Sequence, residues 1–319
     1  MSLRLVFVHG IGAARRADEE CARWSAALAE GFRRSGHSDL ADRLAGGRQV
    51  DVHFCHYGDL FTPGQAQGAG AAPLGAGEAQ ILVELLTETV EEHLAEVSQE
   101  QVRAQLLAAR AQLRPPGPAQ GAGDLLRRAI NAATTLLGIG PLRRSGQWVS
   151  AKFLVGDLAQ VARYLARGEH DASGATLDVR IRARVRAAFG DGPVIAVTHS
   201  LGTVVGLEAL HEYTGEVPLL VTLGSPIAMR TVVLPRLVPQ PPRTPRAVRR
   251  WLNFWDRDDV VVSRPRLAED LKPNETGVLP QSARIDSDGL WVHTATKYLS
   301  KADVAGPIAE TLRRHVSAR

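Results

Sequence analysis

Cysteine and aromatic residues are scarce in this chain of 319 residues. The two cysteines, Cys21 and Cys55, are too few for the disulfide framework of a small secreted protein. Strand-forming residues begin at residue 3, which leaves no room for a secretory leader, so we expect a cytoplasmic location. Because aromatic residues make up only 5% of the chain, we do not expect nucleic-acid binding through stacked bases.

Long hydrophobic runs and a strong net charge are also missing. No apolar stretch reaches the ~18–20 residues that span a bilayer, so we expect no transmembrane segment. The apolar stretch 130–139 predicts at most a weak interfacial contact with a membrane. The formal net charge of +4 is too small to attract nucleic acid by itself. With 45% hydrophobic and 23% charged residues, the composition is that of a folded globular protein and excludes a largely disordered chain.

Strand and helix patterns alternate at both ends of the chain. Five apolar runs predict strands, at 3–8, 49–56, 193–198, 218–223 and 251–255. Most of them are apolar throughout, which predicts an α/β fold with a mostly parallel sheet and helices on both faces. Residues 62–77 form a Gly/Ala/Pro/Gln stretch without periodicity, which predicts a loop, and helical patterns follow up to residue 168, with a capping box at Ser98 and Gln101. We therefore predict a core of 1–61 and 169–319 and a helical insertion at 62–168, which could be a lid or cap, a scaffold or a dimer interface.

A serine lies between an apolar strand and a helix, at the centre of Thr198-His199-Ser200-Leu201-Gly202. A tight strand-to-helix turn lifts its central side chain above the sheet and requires small neighbours on either side. The N–H groups of a helix N-terminus favour developing negative charge. A serine at this position can be a nucleophile, or it can simply cap the helix.

The turn after the first strand reads His9-Gly10-Ile11-Gly12. It has two interpretations, a dinucleotide-binding loop and an oxyanion loop. It begins like a dinucleotide-binding G-x-G-x-x-G loop, but Arg15 stands where the third glycine belongs and the next strand does not end in an acidic residue. H-E-x-x-H, Cys-x-x-Cys and G-x-x-x-x-G-K-[S/T] motifs are absent as well. We therefore expect no metal and no cofactor.

The two turns together resemble those of the α/β-hydrolase superfamily, in particular lipase- and esterase-like serine hydrolases with a Gly-His-Ser-Leu-Gly elbow. Thr198 departs from the pattern, because the superfamily has glycine there, and we expect it to open the elbow or tilt the helix. The resemblance implies an α/β-hydrolase fold with Ser200 as nucleophile. It also implies an oxyanion hole made by the backbone N–H groups of Ile11 and Leu201.

The resemblance further implies an acid and then a histidine downstream of the serine. The superfamily's Asp-x-Val pattern selects Asp258, with Asp256 second and Asp259 the least favoured. His293 fits the pattern His-x-x-x-x-Tyr, which ends here at Tyr298, and is the expected base. Structural roles are expected for three other histidines, His9, His199 and His315. Gly224-Ser225-Pro226 resembles a strand-end turn of the superfamily, and we assign Ser225 no chemistry.

The activity implied by the resemblance is that of a serine hydrolase. It would cleave carboxylic esters, lipid-like or acyl, through a triad of Ser200, His293 and Asp258 and an acyl-enzyme intermediate. An acyltransferase or thioesterase with the same triad is one alternative. A non-catalytic interaction protein with a hydrolase fold is another, for which Thr198 is the only hint. The substrate, the acyl-chain length, the oligomeric state and the pathway are not determined by the sequence.

Overall fold

A computed structural model describes most of the chain. It covers residues 2–11, 17–46, 50–61, 74–115, 117, 121–139, 150–256, 259, 266–286 and 293–317. Asp258, the acid expected from the sequence, lies outside these residues.

The central sheet confirms the predicted α/β class. It has six strands in the order β2-β1-β3-β4-β5-β6, and every pair of neighbours is parallel. The strands are β1 (Arg4–Val8), β2 (Asp51–Cys55), β3 (Val194–His199), β4 (Leu219–Leu223), β5 (Trp251–Asp256) and β6 (Pro280–Ile285).

Helices cover both faces of the sheet, as predicted. The helices of the described residues are α1 (Ala17–Arg34), α2 (Ser38–Ala45), α3 (Ala76–Glu96), α4 (Glu100–Leu113), α5 (Ala122–Leu137), α6 (Ala151–Ala166), α7 (Leu177–Phe189), α8 (Leu201–His211), α9 (Ala295–Leu299) and α10 (Ala302–Ser317). None of the helices in these ranges is both long and apolar enough to cross a membrane.

The sheet separates two hydrophobic clusters, because successive side chains of a strand point to opposite faces. On β1, Leu5 and Phe7 face a cluster with α1, α2, α9 and α10. Val6 and Val8 face the other cluster, to which α3 to α8 contribute. The inner strands β3 and β4 are buried along their whole length, which explains why their sequences are apolar throughout.

The four helices α3 to α6 fall within the predicted insertion 62–168. Their buried residues, among them Leu82 and Leu86, belong to the same cluster as Val6 and Val8, so these helices share a core with one face of the sheet. The predicted capping box is wrong, because α4 begins after Gln99 and no side chain caps it. The division of the chain into core and insertion stays a prediction.

The sheet order places a topological switch point between β1 and β3. The chain leaves β1 for β2 on one side, and it later continues through β3 to β6 on the other. In open parallel sheets, ligands bind in the crevice outside the carboxyl ends of the strands at such a point. Gly10 follows β1 and Ser200 follows β3, so the two turns singled out by the sequence meet there.

Candidate active site

The backbone of Ser200 is strained. Its φ is 54° and its ψ is −131°, directly between the end of β3 and the start of α8. Arg167 is the other non-glycine residue with positive φ among those described. Such a conformation costs on the order of 1–3 kcal/mol and persists only where the surroundings enforce it. The Ser200 N–H donates to the carbonyl of Leu223 at 3.1 Å, which ties the turn to the carboxyl end of β4.

Two glycines allow the chain to pack closely around Ser200. A Cβ on Gly10 would lie 2.5 Å from Ser200 Cβ and 3.1 Å from Ser200 Oγ. A Cβ on Gly202 would lie 2.3 Å from the carbonyl oxygen of His9. The distances of 2.5 and 2.3 Å are too short for a real Cβ, so the turn after β1 lies directly against the serine only because these residues are glycine.

Thr198 is accommodated by a third glycine, on α8. A Cβ on Gly206 would lie 2.8 Å from Thr198 Cγ2, so the threonine methyl occupies space that a larger helix residue would fill. The Thr198 hydroxyl donates to the carbonyl of Val221 at 3.1 Å. The elbow that this turn resembles has glycine at the position of Thr198. Here the glycine that makes room is Gly206, on the helix that packs against the threonine.

Among the described residues, Asp259 contacts His293, although the sequence favours it least of the three acids. His293 Nδ1 lies 2.9 Å from both carboxylate oxygens of Asp259. The Tyr298 hydroxyl donates to Asp259 Oδ2 at 2.7 Å, and all three residues are buried. Asp259 is therefore the described partner of the histidine, and the choice of Asp258 stays a prediction, because that residue lies outside the described ranges. Asp256, the second candidate, forms the last residue of β5.

Gly224 connects this pair to the serine. A Cβ on Gly224 would lie 2.6 Å from Asp259 Oδ2 and 3.2 Å from His293 Nδ1. Gly224 directly follows Leu223, whose carbonyl accepts the Ser200 N–H. The serine and the His293–Asp259 pair are therefore neighbours at the carboxyl edge of β4.

No hydrogen bond joins Ser200 Oγ to His293 Nε2 within the described part of the chain. Hydrogen bonds of this kind are often long in unliganded enzymes and tighten when substrate binds. The His293 tautomer is nevertheless determined by its partner. Because an ionised carboxylate only accepts, the contact with Asp259 favours the tautomer with the proton on Nδ1, in which Nε2 is the acceptor nitrogen.

His9 has the contacts of a structural residue. Its Nε2 accepts the Tyr57 N–H at 3.1 Å, and the Tyr57 hydroxyl donates to its carbonyl at 2.6 Å. The imidazole stacks on Tyr57 and on His56, with ring centroids 4.3 and 4.9 Å away. Burial, followed by the repulsive charge of His56, lowers the pKa of His9 to about 3.

His199, for which the sequence predicts a structural role, packs against His293. Its ring centroid is 4.6 Å from that of His293, and the ring also meets the edge of Trp24. Burial, then the charges of His293 and His9, keep the pKa of His199 well below its usual range. The imidazole of His199 is therefore neutral at ordinary pH, and it packs against the ring of His293. His315 lies on α10, where its Nδ1 is 3.0 Å from the Thr311 carbonyl.

The two expected oxyanion donors belong to residues that follow Ser200 and Gly10 directly in the chain. Leu201 is the first residue of α8, so its N–H has no acceptor within the helix. Ile11 follows Gly10, whose Cα lies against the Ser200 side chain. The positive end of the α8 dipole adds to the preference for negative charge at this position.

A cavity of about 1010 Å³ lies elsewhere, between α3, the end of α4 with the residues 114, 115 and 117, the start of α5 and the segment 230–236. Four glutamates and four arginines contribute to its lining, and Glu88 is the most buried of them. Neither Ser200, Asp259 nor His293 lines it. Because its lining is charged, this cavity does not suit an apolar acyl chain.

Comparisons with protein-family models, curated proteins and solved structures find no match to this chain. Within the described ranges, no group of three or more histidine, cysteine, aspartate or glutamate side chains is placed to hold a metal ion. The function must therefore be inferred from the geometry around Ser200 alone.

Proposed function

We propose that this chain is a serine hydrolase of the α/β-hydrolase type that cleaves carboxylic esters, lipid-like or acyl. The observation that carries the proposal is the strained backbone of Ser200 at the switch point of the sheet. A helix cap needs no positive φ, because cap residues ordinarily have extended backbone. The neighbouring His293–Asp259 pair supplies the base that a serine nucleophile requires.

The chemistry follows from the positions of these groups. His293 Nε2 takes the Ser200 proton as Oγ attacks the ester carbonyl, and the Ile11 and Leu201 N–H groups hold the oxyanion. The carbonyl–oxygen bond to the leaving alcohol then breaks, and His293 returns the proton to that alcohol. Water, deprotonated by the same histidine, releases the acid from the acyl-enzyme. Asp259 holds the imidazole in the required tautomer and stabilises its charged form.

The order of the elements supports this proposal. The serine follows β3, the aspartate follows β5 and the histidine follows β6, which is the chain order Ser, Asp, His of α/β-hydrolases. The turn after β1 lies against the serine, where that fold has its oxyanion loop. In this proposal, α3 to α6 act as a cap beside the site.

Labelling with a fluorophosphonate probe tests the nucleophile. We expect the wild-type protein to be labelled, and Ser200→Ala to abolish labelling. His293→Ala should lower the labelling rate and the hydrolysis of p-nitrophenyl esters on the order of 10⁴-fold, because the serine then has no base. Ser35→Ala, which removes a hydroxyl bonded to the Phe32 carbonyl, is the matched control and should be labelled like wild type.

The same experiment distinguishes the alternatives. If labelling persists in Ser200→Ala, or if the folded wild-type protein does not react at all, the proposal is wrong and a non-catalytic role is favoured. If an added alcohol or thiol intercepts the acyl group faster than water does, the protein is an acyltransferase with the same triad. A series of p-nitrophenyl esters of increasing acyl length then defines the substrate class.

A further inference from the structure

The carbonyl of Ser200 is held by two hydrogen bonds from a single residue. Thr203, on the first turn of α8, donates both its N–H, at 2.9 Å, and its hydroxyl, at 2.7 Å, to Ser200 O. The N–H bond spans three residues, as in a 3₁₀ turn, and the hydroxyl bond is added to it by the side chain. Both residues are buried, so these bonds form away from water.

The Thr203 hydroxyl is itself bound by Ser225. The two hydroxyl oxygens are 2.8 Å apart, and Ser225 Oγ accepts the N–H of Ile227 at 3.2 Å. A hydroxyl has a single proton to donate, and that of Thr203 goes to Ser200 O. Ser225 must therefore donate to Thr203. The bonds run in one direction, from the Ile227 N–H through Ser225 and Thr203 to the Ser200 carbonyl.

This chain of hydrogen bonds ends on the peptide that carries an expected oxyanion donor. The Ser200 carbonyl and the Leu201 N–H belong to one planar peptide group, so fixing the carbonyl fixes the direction of the N–H. The rotation of this group is set by the ψ of Ser200, −131°, which lies in a sparsely populated region. Bonds accepted by the carbonyl also polarise the peptide and make its N–H a stronger donor.

We propose that Thr203 and Ser225 are positioning residues that aim the Leu201 N–H at the oxyanion of the ester reaction. The proposal rests on the hydrolase function argued above. It gives a role to Ser225, which the sequence left without chemistry, and it accounts for two buried hydroxyls that touch neither Asp259 nor His293 in the hydrogen bonds described. Neither residue touches the substrate.

The decisive variant is Thr203→Val, which removes the hydroxyl and keeps the shape. For p-nitrophenyl acetate, we expect kcat to fall about 10-fold, less than the ~10²–10³ that follows the loss of a whole oxyanion donor. KM should stay within about twofold, because the donor is strongest in the transition state. Thr203→Ser keeps the hydroxyl and should restore kcat to near the wild-type value. Ser225→Ala should lower kcat less than Thr203→Val does.

The pH profile separates this role from that of the triad. Thr203→Val should lower kcat by the same factor at every pH, since it leaves His293 and Asp259 in place. Thr244→Val is the control, because it removes a buried threonine hydroxyl that has no partner in the described residues. It should leave kcat unchanged. Thermal unfolding of each variant checks that it is folded at the assay temperature, so that the kcat values of folded proteins are compared.

The possible results assign failure to one proposal or the other. If wild type reacts with a fluorophosphonate and Thr203→Val keeps the wild-type kcat, the positioning role is wrong and the hydrolase function stands. A Thr203→Ser variant as slow as Thr203→Val would also overturn it. If Thr203→Val does not fold, Ser225→Ala decides, and an unchanged kcat there overturns the role. If wild type itself is inert, the hydrolase function fails and this inference fails with it.

Discussion

A buried carboxylate lies near each end of α8, and the two carboxylates have different partners. Near its N-terminus, Asp259 is bound by the imidazole of His293 and the hydroxyl of Tyr298. Near its C-terminus, Glu208 is bound by the guanidinium of Arg167 at 2.6 Å and the hydroxyl of Tyr164 at 2.6 Å. A guanidinium only donates hydrogen bonds and stays charged at any ordinary pH, whereas a neutral imidazole has one nitrogen that donates and one that accepts.

The non-glycine residues with positive φ in the described ranges also divide between these ends. Ser200, with φ 54°, belongs to the first and Arg167, with φ 52°, to the second. A strained backbone alone therefore does not identify an active site. The strained residue Arg167 contacts both Asp178 and Glu208. Arg182 contacts the same two carboxylates, so two positive charges balance two negative charges. In the proposed function, the first end moves a proton, whereas the ion pairs of the second end join α6, α7 and α8.

The largest effect that the comparison predicts is on activity at the first end. Asp259→Asn should lower kcat about 10⁴-fold, because the amide no longer holds His293 in the proton-accepting tautomer. The free energy of unfolding of this variant should stay close to that of wild type. Ester hydrolysis and urea unfolding measure the two effects. Asp258→Asn is the matched control, since the sequence favours that residue, and a comparable loss there would return the triad acid to Asp258.

At the second end, the large effect should be on stability. Glu208→Gln leaves Arg167 and Arg182 with less negative charge in a buried site, and we expect a loss of about 3–5 kcal/mol. The kcat of the protein that remains folded should stay near that of wild type. Glu212→Gln, whose side chain is 42% exposed, should cost no more than about 1 kcal/mol. If Glu208→Gln lost activity without stability, the division of roles would be wrong.

Parts of this fold and site could be predicted from the sequence, and the reasons are local. The inner strands are buried on both faces, so their sequences are apolar runs. The edge strand β6 was not predicted, because it begins with Pro280 and half of its residues are exposed. The short helix α2 was also missed. The turn around Ser200 was found because a strand, a small-residue turn and a helix follow one another directly.

The acid could not be chosen in the same way. Asp256, Asp258 and Asp259 lie within four residues, and local pattern does not show which carboxylate meets an imidazole 34 residues further along the chain. The contact between Thr198 and Gly206 was missed for the same reason. It joins a strand to the following helix across the turn, so only the folded geometry reveals it.

Acid should affect the two ends differently. The pKa of His9, beside the first end, is about 3 in the folded protein and 6.5 when unperturbed. Between these values the unfolded chain binds a proton that the folded protein does not, so stability is full above pH 6.5 and falls as pH drops. Each such histidine contributes at most about 1.4 kcal/mol per pH unit.

At the second end, burial alone would raise the pKa of Asp178, but bonds from Thr176 and Arg182 and the charges of both arginines lower it overall. Its contribution is therefore present above the usual aspartate pKa of 3.8 and is lost only in stronger acid. We expect His9→Gln to flatten the fall of stability between pH 6.5 and 5. Urea unfolding at pH 5, 6 and 7 measures this. An unchanged slope, with exposed His170→Gln as control, would contradict it.

The smallest effect tests the contact that lies between the two ends. Alanine is worth about 1 kcal/mol more than glycine inside a helix. A Cβ at Gly206, however, would lie 2.8 Å from Thr198 Cγ2, and overpacking of this kind costs about 1–3 kcal/mol. Gly206→Ala should therefore leave stability unchanged or lower it by up to about 2 kcal/mol, as urea unfolding would show.

Thr198→Ser removes the methyl group and keeps the hydroxyl bonded to Val221. The double variant Thr198→Ser with Gly206→Ala should then be more stable than the sum of the single changes, by a coupling energy of about 0.5–2 kcal/mol. Additive effects would mean that the helix shifts freely and that Gly206 does not compensate for Thr198. A shift of the helix would also move Leu201 relative to the turn after β1. A non-additive result together with an unchanged kcat in the double variant would therefore show that the pairing of threonine with glycine keeps the geometry of the elbow.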